Sequence, residues 1–330
     1  MSELPRAEAI PAGVAIAGNP AERDCSDVPA GRIDGYHVTL PLTETTPETI
    51  ATLAAASETA HEADWPAPPS ETARAWADLV GGLSKSWMWV AMAVQDIRLR
   101  YRGSVIGPFW LTISNAVLIG AIGTIYPILL HADILTYFPY LMISLVAWQF
   151  VSTMITEGCQ TFISVQPIVQ QVALPFSIHA YRLVCRNLIV LGHSCMIIPF
   201  GLLIFPTPIN AGIVWLLPAL LVIALNGVWV AILFGMLSAR YRDVPPIVAS
   251  FVQVLFFVTP VFWSIRSLGG EHAWLGYNPL AAAIDVLRAP LLGVAPEAES
   301  WPIVIAMTVL GCGATFVLFA RFRARIAYWL

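Results

Sequence analysis

The stretch NLIVLGHSCMIIPFGLLIFPTPINAGIVWLLPALLVIALNGVWVAILFGMLSA, residues 187–239, decides the fold, because it passes without one Asp, Glu, Lys or Arg. A bilayer core takes about 20 apolar residues per helix. The run is therefore long enough for two spans, and Pro206-Thr207-Pro208-Ile209-Asn210 divides it. Residues 103–132, 134–156, 244–265 and 300–320 are equally free of charge. Together these runs predict an all-α integral membrane protein with six transmembrane helices, at about 107–130, 138–159, 182–205, 213–237, 247–264 and 301–320. Composition agrees: of 330 residues 58% are hydrophobic and 12% charged, with mean hydropathy +0.73, whereas soluble domains carry about 25% charge.

Ahead of the spans lie two different materials. Residues 1–72 hold nine prolines and twelve acids against Arg6, Arg23 and Arg32. Such a segment buries too little apolar area to offset its ordering entropy, so a disordered acidic tail is expected. From Glu71 to Tyr101 apolar residues recur at three- and four-residue steps beside Arg74, Asp78, Lys85, Gln95 and Arg98. This is an amphipathic helix for the membrane surface, taken as residues 73–102, with 103–330 as the six-helix domain. Between spans five and six, Asn278-Pro279 supplies an N-cap and first-turn proline. Leu280, Ile284, Leu287 and Leu291 then form a stripe, predicting a short helix on or dipping into the outer leaflet, and residues 266–277 would complete an external cap.

Arginines set the orientation. Arg98, Arg100 and Arg102 precede span one, Arg182 and Arg186 open span three, Arg240 and Arg242 separate spans four and five, and Arg321, Arg323 and Arg325 follow span six. All four clusters fall on one side, which places both termini in the cytoplasm.

The spans carry little ionisable chemistry. Glu157 is expected to pair with Arg182 or Arg186, and His193 to make one interhelical hydrogen bond, rather than to relay protons. Gly82-Leu83-Ser84-Lys85-Ser86 lacks the glycine before lysine that a nucleotide-binding loop requires, so the chain supplies no ATPase of its own. No protease, lipase or metal-site motif is present, no cofactor is implied, and the five cysteines include no Cys-x-x-Cys. One lysine and no long basic run give nucleic-acid binding no support.

Aromatic residues form two stripes at helical spacing, Tyr137, Tyr140 and Trp148 on one segment and Gln253, Phe256 and Trp263 on another. Sugar rings stack on such faces, but lipid-facing and packing roles fit each ring as well.

Four motifs carry a resemblance. Asp96-Ile-Arg-Leu-Arg-Tyr-Arg-Gly-Ser-Val-Ile-Gly-Pro-Phe-Trp110 leads into span one, and Ser238-Ala-Arg-Tyr-Arg-Asp-Val-Pro245 follows span four. Thr259-Pro-Val-Phe-Trp263 with Tyr277-Asn-Pro279 closes span five, and Arg325-Ile-Ala-Tyr-Trp-Leu330 ends the chain. In order and spacing, over residues 75–330, the sequence resembles type-2 ABC exporter permeases for bacterial polysaccharides such as O-antigen, capsule or teichoic acid. The resemblance implies a homodimer in the bacterial inner membrane, paired with ATP-binding subunits and moving a lipid-linked glycan outward. It implies a channel lined from Phe109, Trp110, Tyr126, Phe256 and Trp263, to which the stripes add Tyr140 and Trp148. It also implies contacts to the ATPase from segments 73–100 and 160–180, represented by Trp76, Lys85, Gln166 and Gln170. Arg98, Arg100 and Arg102 suit the phosphates of a lipid carrier, and suit topology and anionic lipid equally. An ABC-type exporter of a drug or small lipid, or a non-ABC glycan-assembly membrane protein, fits the same spans.

Overall fold

The computed structural model describes residues 70–104, 107, 109–131, 133–172, 174–207, 210–263 and 277–330. The tail expected over residues 1–72 lies outside them up to residue 69, as does nearly all of 266–277. The described residues are helical, with no strand among them.

The chain enters α1 (Glu71–Ser84) at Ser70, whose Oγ accepts from the Ala73 amide at 3.2 Å, with Glu71 in the positive first turn. The single amphipathic helix expected here is two. Lys85, at φ −88° and ψ 43°, leaves helical geometry and separates α1 from α2 (Ser86–Arg100). A turn then leads into α3 (Phe109–Leu130). In that turn Gly103 and Gly107 stand at φ +83° and +61°, and Ser104 Oγ accepts from the Gly107 amide at 3.0 Å. The Gly-Ser-x-x-Gly pattern is thus a backbone requirement, since left-handed conformations penalise any Cβ.

Asp133 caps α4 (Ile134–Gly158), the most deeply buried of the long helices. A 3₁₀ turn at Ile163–Val165 and the short α5 (Gln166–Gln171) connect to α6 (Ser177–Ser194) and α7 (Ile197–Ile204). The break between α6 and α7 was not foreseen from the charge-free run. Pro199 explains it, because its ring conflicts with the carbonyl four residues back and it offers no amide to Cys195. A 3₁₀ turn at Ala211–Trp215 opens α8 (Leu216–Arg240), and α9 (Val244–Val258), α10 (Pro279–Leu291) and α11 (Ser300–Trp329) complete the order.

Among the described residues, five helical segments are long and apolar enough to cross a membrane: Thr112–Leu129, Ile134–Gly158, Ser177–Ile204, Ala211–Arg240 and Ser300–Trp329. The segment expected as span five is shorter than anticipated. The 15 residues of α9 rise about 22 Å, short of a hydrocarbon core of about 30 Å. It stops because Thr259, preceding Pro260, is driven to an extended conformation. The non-helical carbonyls that follow find partners. Tyr137 donates to the Phe262 carbonyl at 2.7 Å, and Tyr140 to those of Pro260 and Trp263 at 3.1 and 2.9 Å. Irregular backbone at membrane depth is tolerated where its polar groups are satisfied in this way.

Asn278 caps α10 through the Leu280 amide at 2.9 Å, with Pro279 in the first turn as the sequence indicates. The helix is packed into the bundle. Ala281 through Leu287 are buried, packed among α4, α8 and α11. It brings a charge pair inside: Arg288 donates to Asp285 at 3.0 Å, to Ser144 Oγ at 3.2 Å and to the Pro260 carbonyl at 3.3 Å, and lies 4.2 Å from the Tyr140 ring centre. The second Asp285 oxygen accepts from the Glu297 amide and the Ser300 hydroxyl, both at 2.8 Å, at the start of α11. Further along, Asn226 of α8 donates to Thr308 of α11 at 2.6 Å and accepts from Trp229 Nε1 at 2.7 Å. Such bonds join helices that gain little hydrophobic drive in lipid.

Arg288→Met strands the Asp285 carboxylate and is expected to cost about 3–5 kcal/mol, read as a lowered unfolding midpoint in detergent. The double variant Asp285→Asn with Arg288→Met is expected to recover part of that loss.

Candidate translocation site

One flank of the bundle carries a groove of about 480 Å³ between α3, α4 and α9. Its apolar wall includes Leu118, Leu145 and Val252, with rings from Trp148, Phe256 and Phe257. Its polar wall includes Asn115 from α3, Gln149, Ser152, Thr153 and Thr156 from α4, and Gln253 from α9. Gln149 and Gln253 are exposed, and the side-chain amides of Asn115, Gln149 and Gln253 have no hydrogen-bond partner among the described residues. Unpartnered amides are costly in hydrocarbon, so this flank suits water, a polar cargo or another protein surface better than lipid. Rings for stacking and amides for hydroxyl groups therefore stand side by side.

The residues anticipated for the channel separate into three groups. Trp148 and Phe256 line the groove, their ring centres 5.5 Å apart, and Gln253 of the same stripe lines it with them. Phe109 and Trp110 are exposed at the start of α3, Phe109 standing edge-on to His193 at 6.2 Å. Tyr126, Tyr140 and Trp263 gather around the non-helical 259–263 segment. Tyr126 packs on Phe262 at 5.5 Å, and Trp263 Nε1 donates to the Phe257 carbonyl at 3.3 Å. The two aromatic stripes thus meet each other along part of their length. Asn115, Gln149, Ser152, Thr153 and Thr156 escaped the sequence reading because single polar residues inside long apolar runs give no periodic signal.

At the arginine-rich end a charged network ties the interfacial helices to the bundle. Asp96 of α2 accepts from Arg182 Nε at 2.7 Å and Arg186 Nη1 at 2.9 Å, both on α6. Glu157 at the end of α4 accepts from Arg186 at 2.6 Å, Arg100 at 2.8 Å and Asn187 at 3.1 Å. Of the two partners expected for Glu157, Arg186 is the one found, while Arg182 turns to Asp96. Burial pushes the Asp96 carboxyl up, but the hydrogen bonds and charges of Arg182 and Arg186 outweigh it and hold it below its ordinary value of 3.8. The stabilisation from this pairing is complete above the ordinary carboxylate pKa and disappears only as pH falls through the lowered folded value. His193 departs from expectation: its Nδ1 contacts the Ile189 carbonyl of its own helix at 2.9 Å, and the interhelical bond runs instead from Thr112 to the His193 main-chain oxygen at 3.0 Å.

Asp78, with no exposed side-chain area, fastens α1. Its carboxylate accepts from the amides of Phe176 and Ser177 at 3.1 and 3.0 Å and from Arg323 Nε at 2.6 Å, while Ser177 Oγ donates to the Asp78 carbonyl at 2.7 Å. An acid from one helix therefore caps another, at the end where the peptide dipole favours negative charge. Gly82 permits the approach, since a Cβ there would fall 2.1 Å from Ser177 Oγ. Periodicity alone places Asp78 on the polar face of a surface helix.

Of the positions expected to meet an ATPase, Trp76, Lys85 and Gln170 are exposed and Gln166 is half-buried. Trp76 is 62% exposed with its ring edge toward Phe316 at 6.4 Å, Lys85 is exposed at the α1–α2 break, and Gln166 and Gln170 lie on α5. Arg98 and Arg102 are exposed and form no ion pair among the described residues, whereas Arg100 is committed to Glu157. No group of three or more His, Cys, Asp or Glu suited to a metal ion occurs among the described residues.

A multi-pass helical body with a ring-and-amide flank and a braced pair of interfacial helices has the architecture of a membrane transport subunit. The chain belongs to the ABC-2 type transporter family, whose model matches residues 89–292. It is similar to the O-antigen export system permease protein RfbA of Klebsiella pneumoniae, at 26% identity over 202 residues, covering 59% of this chain and 76% of that protein. The protein of the same name from Myxococcus xanthus is 21% identical over 253 residues, covering 72% of this chain and 93% of its own length.

Asp78→Asn keeps the shape of the α1 joint and removes its charge. A loss of roughly 1–3 kcal/mol is expected from weakened bonds to a buried charged acceptor, measured as a lower unfolding midpoint and faster proteolysis of α1. Gly82→Leu is expected to detach α1 outright in the same assay.

Proposed function

We propose that this chain is the membrane-spanning subunit of an ATP-driven exporter that moves a lipid-linked polysaccharide across the bacterial inner membrane. Two copies form the channel, both termini are cytoplasmic, and a separate ATP-binding subunit supplies the energy. The groove between α3, α4 and α9 carries this reading, because aromatic rings beside unpartnered amides match the alternating apolar and hydroxylated faces of a sugar chain. The O-antigen for which the relatives are named agrees with that chemistry. Nucleotide-driven closure of the ATPase pair would press on α1, α2 and α5. Through Asp78, Asp96 and Glu157 the displacement reaches α4, α6 and α11, and α4 forms one wall of the groove.

Co-purification tests the energy source: the solubilised chain is expected to carry an ATP-binding subunit and to stimulate its ATP hydrolysis. A chain that binds no ATPase refutes the reading. For the path itself, Gln149→Leu with Gln253→Leu is expected to lower surface glycan roughly tenfold, the effect of one or two hydrogen bonds of about 1 kcal/mol each, at unchanged ATPase binding. Export unaffected by both replacements would remove the groove from the route.

A further inference from the structure

Beside the charged network lies a second cavity, of about 240 Å³, enclosed by the end of α4, the 160–165 turn and the first turns of α6. Arg100, Arg182, Arg186 and His179 line it, and Glu157 is its one carboxylate. With Asp96 behind the wall, three guanidinium groups face two carboxylates, so the cluster keeps an excess positive charge. The network does not use every donor. Arg182 Nη1, Arg186 Nε and His179 Nδ1 are buried and have no hydrogen-bond partner among the described residues. Buried donors without partners are rare in folded proteins and call for a missing acceptor. Gln160 and Ser164, both exposed, and the buried Thr161 add uncharged polar groups to the lining.

We propose that this cavity binds a phosphate-bearing anion, a monophosphate or diphosphate group held by Arg182, Arg186 and His179 beside the Arg100–Glu157 pair. Charged guanidinium N–H groups donate strongly to phosphate oxygens, and a tetrahedral anion has enough acceptors to take one bond from each of several donors at once. His179 contributes as a donor in its Nδ1–H tautomer. The location differs from that of the exposed Arg98 and Arg102, which present charge at a surface without an enclosing wall. Two sources carry this chemistry: the headgroup of a lipid carrier, and a free phosphate compound.

The test uses the full chain in phosphatidylcholine nanodiscs, titrated with inorganic pyrophosphate by calorimetry. Saturable binding is expected. Gln160→Glu, which adds one negative charge at nearly constant shape, is expected to weaken it by about tenfold or more through like-charge repulsion in a partly desolvated site. Ser164→Asp, at a second exposed position, is expected to act in the same direction, so a folding defect in one variant leaves the other to decide. Absence of saturable binding, or equal affinity in wild type and both variants, overturns the proposal. Nanodiscs containing a polyprenyl diphosphate lipid separate the sources. Competition with pyrophosphate assigns the site to the headgroup, and its absence assigns it to a soluble phosphate. A chain that binds pyrophosphate but no ATP-binding subunit would keep this site and lose the transport reading, and the reverse result would lose this site alone.

Discussion

Five ionised side chains at one end of the bundle hold the remainder in place. Asp96 and Glu157 are each clasped by two arginines and share Arg186 between them, so α2, α4 and α6 meet at one electrostatic knot. Partly buried charges persist only when each has opposite partners and good hydrogen-bond geometry. Here the carboxylates satisfy that condition mutually, and no member can leave without exposing another. Asp78 repeats the arrangement on a smaller scale, joining α1 to the start of α6 and to α11. The pair α1 and α2 is therefore mechanically part of the body.

The opposite end is built differently. Where α9 stops short, tyrosine hydroxyls and Arg288 take over the work of helical amides, and α10 folds back among the long helices. The groove lies between these two rigid ends. Its walls come from α3, α4 and α9, of which α3 is mostly unburied and α4 deeply buried. One wall is thus set in the core, while the facing one leaves much of its own surface uncovered.

Much of this was legible in the residues. Charge-free length located the apolar helices, Asn278-Pro279 located the start of α10, and the motif ending at Trp110 pointed to the family now shown by comparison. Other features depend on relations that periodicity does not carry. The Asp96–Arg182 pair joins residues far apart in sequence, and Asp78 looked like one more polar residue on an amphipathic face. The break before α7 was written in Pro199 but concealed by a uniformly apolar run, and the shortness of α9 depended on Pro260 overriding the hydropathy of its neighbours. For the groove, rings advertise themselves through helical spacing, whereas isolated amides such as Gln149 acquire meaning only once neighbouring helices place them on a common wall.

The left-handed glycines between α2 and α3 bear on how force travels. A continuous helix would act as a stiff rod, passing torque from the interfacial pair directly into the first long segment. Gly103 and Gly107 interrupt that rod with two left-handed residues. What holds α2 to the helices behind it is therefore the ionic clasp of Asp96 and Arg100, not a continuous helical backbone.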